Sequence, residues 1–249
     1  MGALLAQRSS STLESPGLEV QLQLHLLGGF EMTVGSEPME VPDSGRRLLA
    51  YLALHDNARC RSVVAASLWP DKSESRAGAN LRSSLWRLPS PGGAPLVFSY
   101  GPMLTLAPEL RVDVRVAEEL GWALVRDPSQ AIDEVDRRLF FQELLPGWYD
   151  DWVIMERERL EQLQLHFLEA LTYALVARAL HAEALDVALR LVAADPLRER
   201  SQRALVNVYC DEGSLGQACI QLERYRKLML ETFGCEPSAT LMRMVEERA

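Results

Sequence analysis

The stretch "SRAGANLRSSLWRL", Ser75–Leu88, decides the fold. Leu81, Leu85 and Leu88 recur at i, i+4 and i+7, and Ala77 and Gly78 close the same stripe toward its start. That spacing predicts a helix with one buried face. The opposite face carries Arg76, Asn80, Arg82, Ser83 and Arg87 and no acidic residue. The chain as a whole has 35 Asp plus Glu against 26 Lys plus Arg, a net charge of −9, so an acid-free face is a local departure from the average.

The flanking sequence gives this helix its place. Upstream, "VQLQLHLLGGFEMTV" (Val20–Val34) alternates apolar residues around a Gly-Gly and reads as a short β-hairpin. Asp43 or Ser44 is suited to cap a helix whose apolar positions are Leu48, Leu49, Leu52 and Ala53. "ARCRS" then turns the chain, and Ser62 is placed to cap a second helix, Val63–Trp69, stopped by Pro70. Pro89 ends the third helix. After it, "PLVFSY" and "MLTLA" are strand-like runs separated by Gly101 and Pro102. Strands, three helices and a closing hairpin, in that order, are the elements of a winged helix-turn-helix domain.

Charge is unevenly spread along the chain. Residues 1–112 hold 10 basic and 10 acidic residues, so residues 113–249 carry the entire −9. Within the neutral half, Gly45–Leu88 has eight basic residues, Arg46 and Arg47 among them, opposed only by Asp56, Asp71 and Glu74. An island of this kind suits a polyanion, although an ordinary solvated surface has the same composition. In a winged helix the third helix enters the major groove. Acidic side chains there would be repelled by phosphate. Arg can pair bidentately with guanine and Asn with adenine, while Ser serves either base or phosphate. Asn80, Ser83 and Arg87 are therefore the candidate base readers, with Arg76, Arg82, Arg46 and Arg47 candidates for phosphate. An intradomain ion pair is the competing role for Arg87. Trp86 points away from the leucine stripe and is expected to stack on the wing or the second half of the chain, because an indole normally seeks apolar cover.

Beyond Asp113 the pattern is almost wholly helical, broken at "LLPGWYDDW". An offset of 34 residues aligns "HAEAL" (His181–Leu185) with "LGQAC" (Leu215–Cys219), and Leu171, Leu175, Ala184 and Leu191 with Leu205, Tyr209, Ala218 and Tyr225. That period is tetratricopeptide-like, two antiparallel helices per repeat with small residues at the close crossing. Asp195 and Pro196 are placed to start a helix between the repeats. The expected architecture is mainly α with small β-hairpins. It comprises a mobile tail (1–17), a winged helix (18–112) and an all-α tetratricopeptide-like domain (113–249). Stacked helical pairs make interaction surfaces more often than pockets.

Other classes fare worse. No run of roughly 18 or more apolar residues is present, so no membrane span is expected. Cys60, Cys210, Cys219 and Cys235 show neither metal-ligand nor disulfide spacing, which suits a reducing cytoplasm and small apolar positions in or near the core. The four histidines lack ligand spacing, and Asp150 and Asp151, adjacent acids without a nucleophile or His partner, read as a helix start with Trp148 and Trp152 packing nearby. No enzyme, metal or cofactor is expected, and no phosphate-binding glycine loop occurs.

The chain from about Val20 to Ser238 resembles the small members of the Streptomyces antibiotic regulatory protein family. The resemblance rests on "LHLLGGFEM", "RRLLAYLALH", "SLWPD" and "NLRSSLWRL". In the second half it rests on "LLPGWYDDWVIMERERLEQLQLHFLEAL", "AADPLRERSQRALVNVY" and "ERYRKLMLETFGCEPS". It implies an OmpR-type winged helix joined to a bacterial transcriptional activation domain. It further implies a cytoplasmic, nucleoid-associated activator of secondary-metabolite genes, including antibiotic clusters. Two protomers would bind side by side on direct repeats near the promoter −35 region and hold RNA polymerase holoenzyme there. By the same resemblance the loop "PDKSE" (Pro70–Glu74) faces the sigma factor, with Asp71, Lys72 and Glu74 as contacts. The family's wing often carries a basic residue, whereas "VFSYGPMLTL" has none. Tyr100 is the wing's candidate DNA contact, with core packing its competing role. The rival to this reading is a protein-interaction scaffold with a degenerate winged helix.

Overall fold

The computed structural model describes residues 21–55, 57–129 and 137–247. The tail assigned to residues 1–17 lies outside them. β1 (Leu22–His25) and β2 (Glu31–Val34) form the expected antiparallel hairpin, which β3 (Glu37–Pro38) extends at its edge. Leu22 and Leu24 alternate inward while Gln23 and His25 stay half-exposed, the period of two that the sequence displays. On the other side of β1 lies β7 (Leu110–Val112), parallel to it, with Leu22 opposite Leu110 and Leu24 opposite Val112. A parallel pair needs a long crossover. Here the crossover contains the three helices and the wing.

Those helices are α1 (Asp43–Ala53), α2 (Arg61–Leu68) and α3 (Glu74–Trp86). Leu48, Leu49, Leu52 and Ala53 of α1 are all buried, as the periodicity predicts. The starts of these helices differ from expectation. Pro42 precedes α1 with no side-chain cap, and neither Asp43 nor Ser44 takes that place. Cys60 precedes α2, and Ser62 lies inside the helix. "ARCRS" is more than a turn: Arg59–Cys60 form a two-residue strand, β4, paired with β6. The wing is β5 (Val97–Tyr100) and β6 (Met103–Leu106), joined at Gly101, whose φ of +58° favours glycine.

The second half opens with α4 (Asp113–Arg126) and continues with α5 (Asp151–Val176), α6 (His181–Ala194), α7 (Glu199–Asp211), α8 (Leu215–Phe233) and α9 (Ala239–Glu246). Three of the four aligned pairs occupy matching core positions, while Tyr209 is only half-buried where its counterpart Leu175 is fully buried. Ala184 and Ala218 are fully buried, as are Leu171 and Leu205, and Leu191 and Tyr225. α7 begins at Glu199, three residues after Pro196. Asp195 instead accepts the Leu197 N–H at 3.3 Å in the connecting turn. A smaller core cluster around Tyr225, Leu241 and Val245 closes the C-terminal end.

The main buried cluster does not stop at residue 112. It runs from Leu22 of β1 through the winged helix to Leu191 and Val208. Gly28 donates to the Glu143 carbonyl and Leu145 to the Leu26 carbonyl, which stitches "LLPGWYDDW" onto β1. Phe30 stacks on Trp148 at 6.1 Å, and Tyr51 meets Trp152 edge-on at 5.4 Å. Arg115 of α4 closes the end of α1 by donating to the carbonyls of Ala53, Leu52 and His55 at 2.9, 3.2 and 3.1 Å. Of the cysteines only Cys210 is buried, whereas Cys219 and Cys235 are exposed and Cys60 is intermediate. The expectation of a place in or near the core thus fails for Cys219 and Cys235.

Candidate nucleic-acid interface

The third helix is fixed from behind. Ala77 and Leu81 are buried, and Leu85 and Leu88 pack on the core. Ser84 replaces an apolar residue on this inner face and donates to the Asn80 carbonyl at 3.0 Å, so its hydroxyl is satisfied within the helix. Gly45 of α1 lets Leu88 approach closely, since a Cβ there would stand 3.0 Å from the leucine side chain. The backbone N–H of Arg87 closes the helix on the Ser83 carbonyl at 3.1 Å.

With the inner face pinned, the outer face follows from helical geometry. At roughly 100° per residue, the face opposite Leu88 is centred on Ala79 and Trp86. Arg82 and Ser83 flank that line, Arg76 and Arg87 lie further round, and Asn80 sits at the edge. Exposure agrees: Ser75, Arg76, Ala79, Arg82, Ser83, Trp86 and Arg87 are exposed, and Asn80 is half-buried. Glu74 starts the helix away from this line, where an acid favours the helix dipole. Among the described residues, Arg76, Arg82 and Arg87 have no ion pair and no side-chain hydrogen bond. The intradomain salt bridge weighed for Arg87 does not form.

Other predicted residues stand elsewhere. Arg47 is ion-paired with Asp150, and the guanidinium of Arg46 donates through Nε to the Val41 carbonyl at 2.8 Å while lying over the Phe30 ring. Both are committed within the protein, at the seam with the second half. Asp71 and Lys72 are exposed in the short connection after α2, whereas Glu74 belongs to the first turn of α3. Tyr100 is 65% exposed and stacks only on Phe98, so the core-packing alternative for it fails. Trp86, expected under cover, is 87% exposed, and no other described ring lies against it.

The sequence pattern missed how the wing acquires a cation. Arg61, at the start of α2, reaches across to donate to Ser99 Oγ on β5 at 2.9 Å. A signal existed in "ARCRS", but a two-residue strand is too short to show alternation. Beside it, the Cys60 thiol contacts Ser62 Oγ at 3.2 Å. That hydroxyl first, then backbone N–H groups at the start of α2, hold the thiol below its ordinary pKa. A cleft of about 580 Å³ opens between α2 and α3, lined among others by Arg61, Trp69, Lys72, Gly78 and Arg82. The described residues contain no cluster of metal-binding side chains, and no helix is long and apolar enough to cross a membrane.

Comparison with known proteins adds a family to this geometry. The family model described as "Bacterial transcriptional activator domain" matches residues 112–247. Regulatory protein AfsR of Streptomyces griseus is 27% identical over 243 residues, covering 91% of this chain and 24% of that protein. The solved structure titled "Mycobacterium tuberculosis EmbR in complex with low affinity phosphopeptide" superposes with a TM-score of 0.74 at 20% identity, over 92% of this chain and 65% of that one. The second likeness is one of fold. The chain spans about a quarter of the length of AfsR and somewhat under two thirds of the EmbR chain.

Proposed function

Because the chain belongs to the bacterial transcriptional activator domain family, and so to the class of transcriptional regulators that the sequence resembles, we propose that it is a sequence-specific DNA-binding activator. The observation that carries this reading is the outer face of α3, which is free of acid and bears three arginines with no ion pair or side-chain hydrogen bond among the described residues. Unpaired guanidinium groups aligned on one exposed face of an otherwise acidic chain fit a polyanionic duplex.

In this reading Arg82 and Ser83 meet base edges near the centre of the groove, and Asn80 and Arg87 reach them from its flank. Arg76, together with Arg61 beside the wing, holds phosphate, and Tyr100 lies against the sugar–phosphate backbone. Arg46 and Arg47 are left to structural work. Two protomers on direct repeats near the −35 region would present Asp71, Lys72 and Glu74 along the duplex toward the sigma factor of RNA polymerase. Charges of both signs there suit register more than affinity. The regulated genes would be those of secondary metabolism, and the site of action the cytoplasmic nucleoid.

Two assays test this. Duplexes selected by the full chain from a randomised pool should share a repeated motif, and Asn80→Ala should relax preference at one base, at a cost of about 1–3 kcal/mol. Equal binding of selected and scrambled duplexes would contradict base reading. Reversing the charges of Asp71, Lys72 and Glu74 together should leave that binding nearly intact and lower transcript yield from purified polymerase. Unchanged yield would remove the loop from the mechanism.

A further inference from the structure

Trp86 is the most exposed large apolar side chain described, at 87%. Burying such a side chain ordinarily stabilises a protein by a few kcal/mol, so its exposure on a well-held helix has to be explained. The end of α3 is not frayed. Leu85 and Leu88, on either side of Trp86, pack against the core, and the Arg87 N–H closes the last turn. The backbone therefore points the indole outward. Two turns earlier Ala79 occupies the same line, and it too is exposed. The centre of the arginine-bearing face is thus apolar, with Arg76, Arg82 and Arg87 arranged round it.

A duplex offers a match for such a centre. Among the groups displayed in the major groove, the C5-methyl of thymine is the apolar one, and it is read by apolar side chains rather than by hydrogen bonds. We propose that Trp86, with Ala79, reads thymine methyl groups, so that A·T pairs at two places in the site are chosen by apolar contact rather than by the arginines. Seven residues of helix span about 10 Å, which sets the two places roughly three base-pair steps apart. The inference rests on the DNA-binding reading of α3.

The test uses the full chain and a duplex that it selects from a randomised pool. Each thymine in turn is replaced by deoxyuridine, which deletes the methyl group and leaves every hydrogen-bonding group in place. At one or two positions the substitution should weaken binding about fourfold, the worth of one buried methyl group. Trp86→Ala should bind the thymine duplex more weakly and lose the deoxyuridine penalty at one of those positions, while Trp86→Phe keeps part of it. If the chain selects and binds its duplex but no deoxyuridine matters, or Trp86→Ala retains every penalty, the thymine assignment is overturned and DNA reading stands. An indole that serves a phosphate or a protein partner would give that second pattern. If the chain selects no duplex at all, the DNA-binding reading falls and this inference with it.

Discussion

Arg47 of α1 and Asp150, the residue that precedes α5, form an ion pair between the winged helix and the helical half. Only 31% of the Arg47 side chain and 24% of the Asp150 side chain is exposed, between the Phe30–Trp148 stack and the Tyr51–Trp152 contact. The helical half is therefore packed against α1, the helix that supports α3, rather than tethered by a free linker. Arg157 reinforces the seam by donating to the carbonyls of Leu144, Leu145 and Trp148 at 3.0, 2.9 and 3.1 Å.

The pair is partly shielded, so its worth lies between that of surface and buried ion pairs. Arg47→Ala and Asp150→Ala should each cost about 1–2 kcal/mol in denaturant melts, and the double variant should cost less than the sum. Full additivity would mean that the two side chains do not sense each other.

A second stability test lies at the crossing of α4 and α5. A Cβ on Gly121 would stand only 2.4 Å from ring atoms of Phe167, itself buried against Trp122 at 5.5 Å and Phe140 at 5.8 Å. Alanine would gain about 1 kcal/mol in helix propensity but overpack a filled site. Gly121→Ala should therefore destabilise by about 1–2 kcal/mol in spite of the propensity. Combining it with Phe167→Leu should recover part of the loss, and a more stable Gly121→Ala would show that the helices can part.

The pH dependence of stability has a specific contributor in Asp113. Its buried carboxylate accepts N–H bonds from Leu26 at 2.9 Å, Leu27 at 3.0 Å and Val114 at 2.7 Å. Burial nevertheless raises its pKa above the ordinary value, against the opposing pull of those donors and of His25. A carboxyl whose folded pKa is raised favours the folded state below its unfolded pKa of about 3.9, and that contribution fades as pH rises through the folded value. The stability advantage of the native chain over Asp113→Asn should thus shrink from acid toward neutral pH. Urea melts across that range would expose the opposite sign if the three donors outweighed burial.

The sequence made legible whatever was periodic. β1 and β2 alternate apolar residues, α1 and α3 carry continuous leucine stripes, and three of the four pairs found by the 34-residue offset are buried alike. The parts that escaped it depend on contacts distant in the chain. β4 is a strand because β6 lies beside it, with Arg59 opposite Leu104 and Cys60 opposite Met103. Arg47 could not be told from a phosphate ligand while Asp150, 103 residues away, had no position. For Trp86 the general habit of indoles pointed to cover, whereas the helix register, fixed by Leu81 and Leu88, turns it outward. The acid-free face of α3 was visible in the sequence, but its centre was not: Ala79 and Trp86 hold it, and with Ser84 buried on the inner side Asn80 stands at the edge.

The salt dependence of duplex binding tests the account most directly. The full chain is titrated with its selected duplex at several salt concentrations, beside Arg76→Ala and Arg82→Ala. Log affinity should fall linearly with log salt, at a slope of about −0.9 per phosphate neutralised. The variant that loses a phosphate contact should show a slope shallower by roughly one. A flat response in the unaltered chain would contradict the DNA-binding role and favour an interaction scaffold on the same fold.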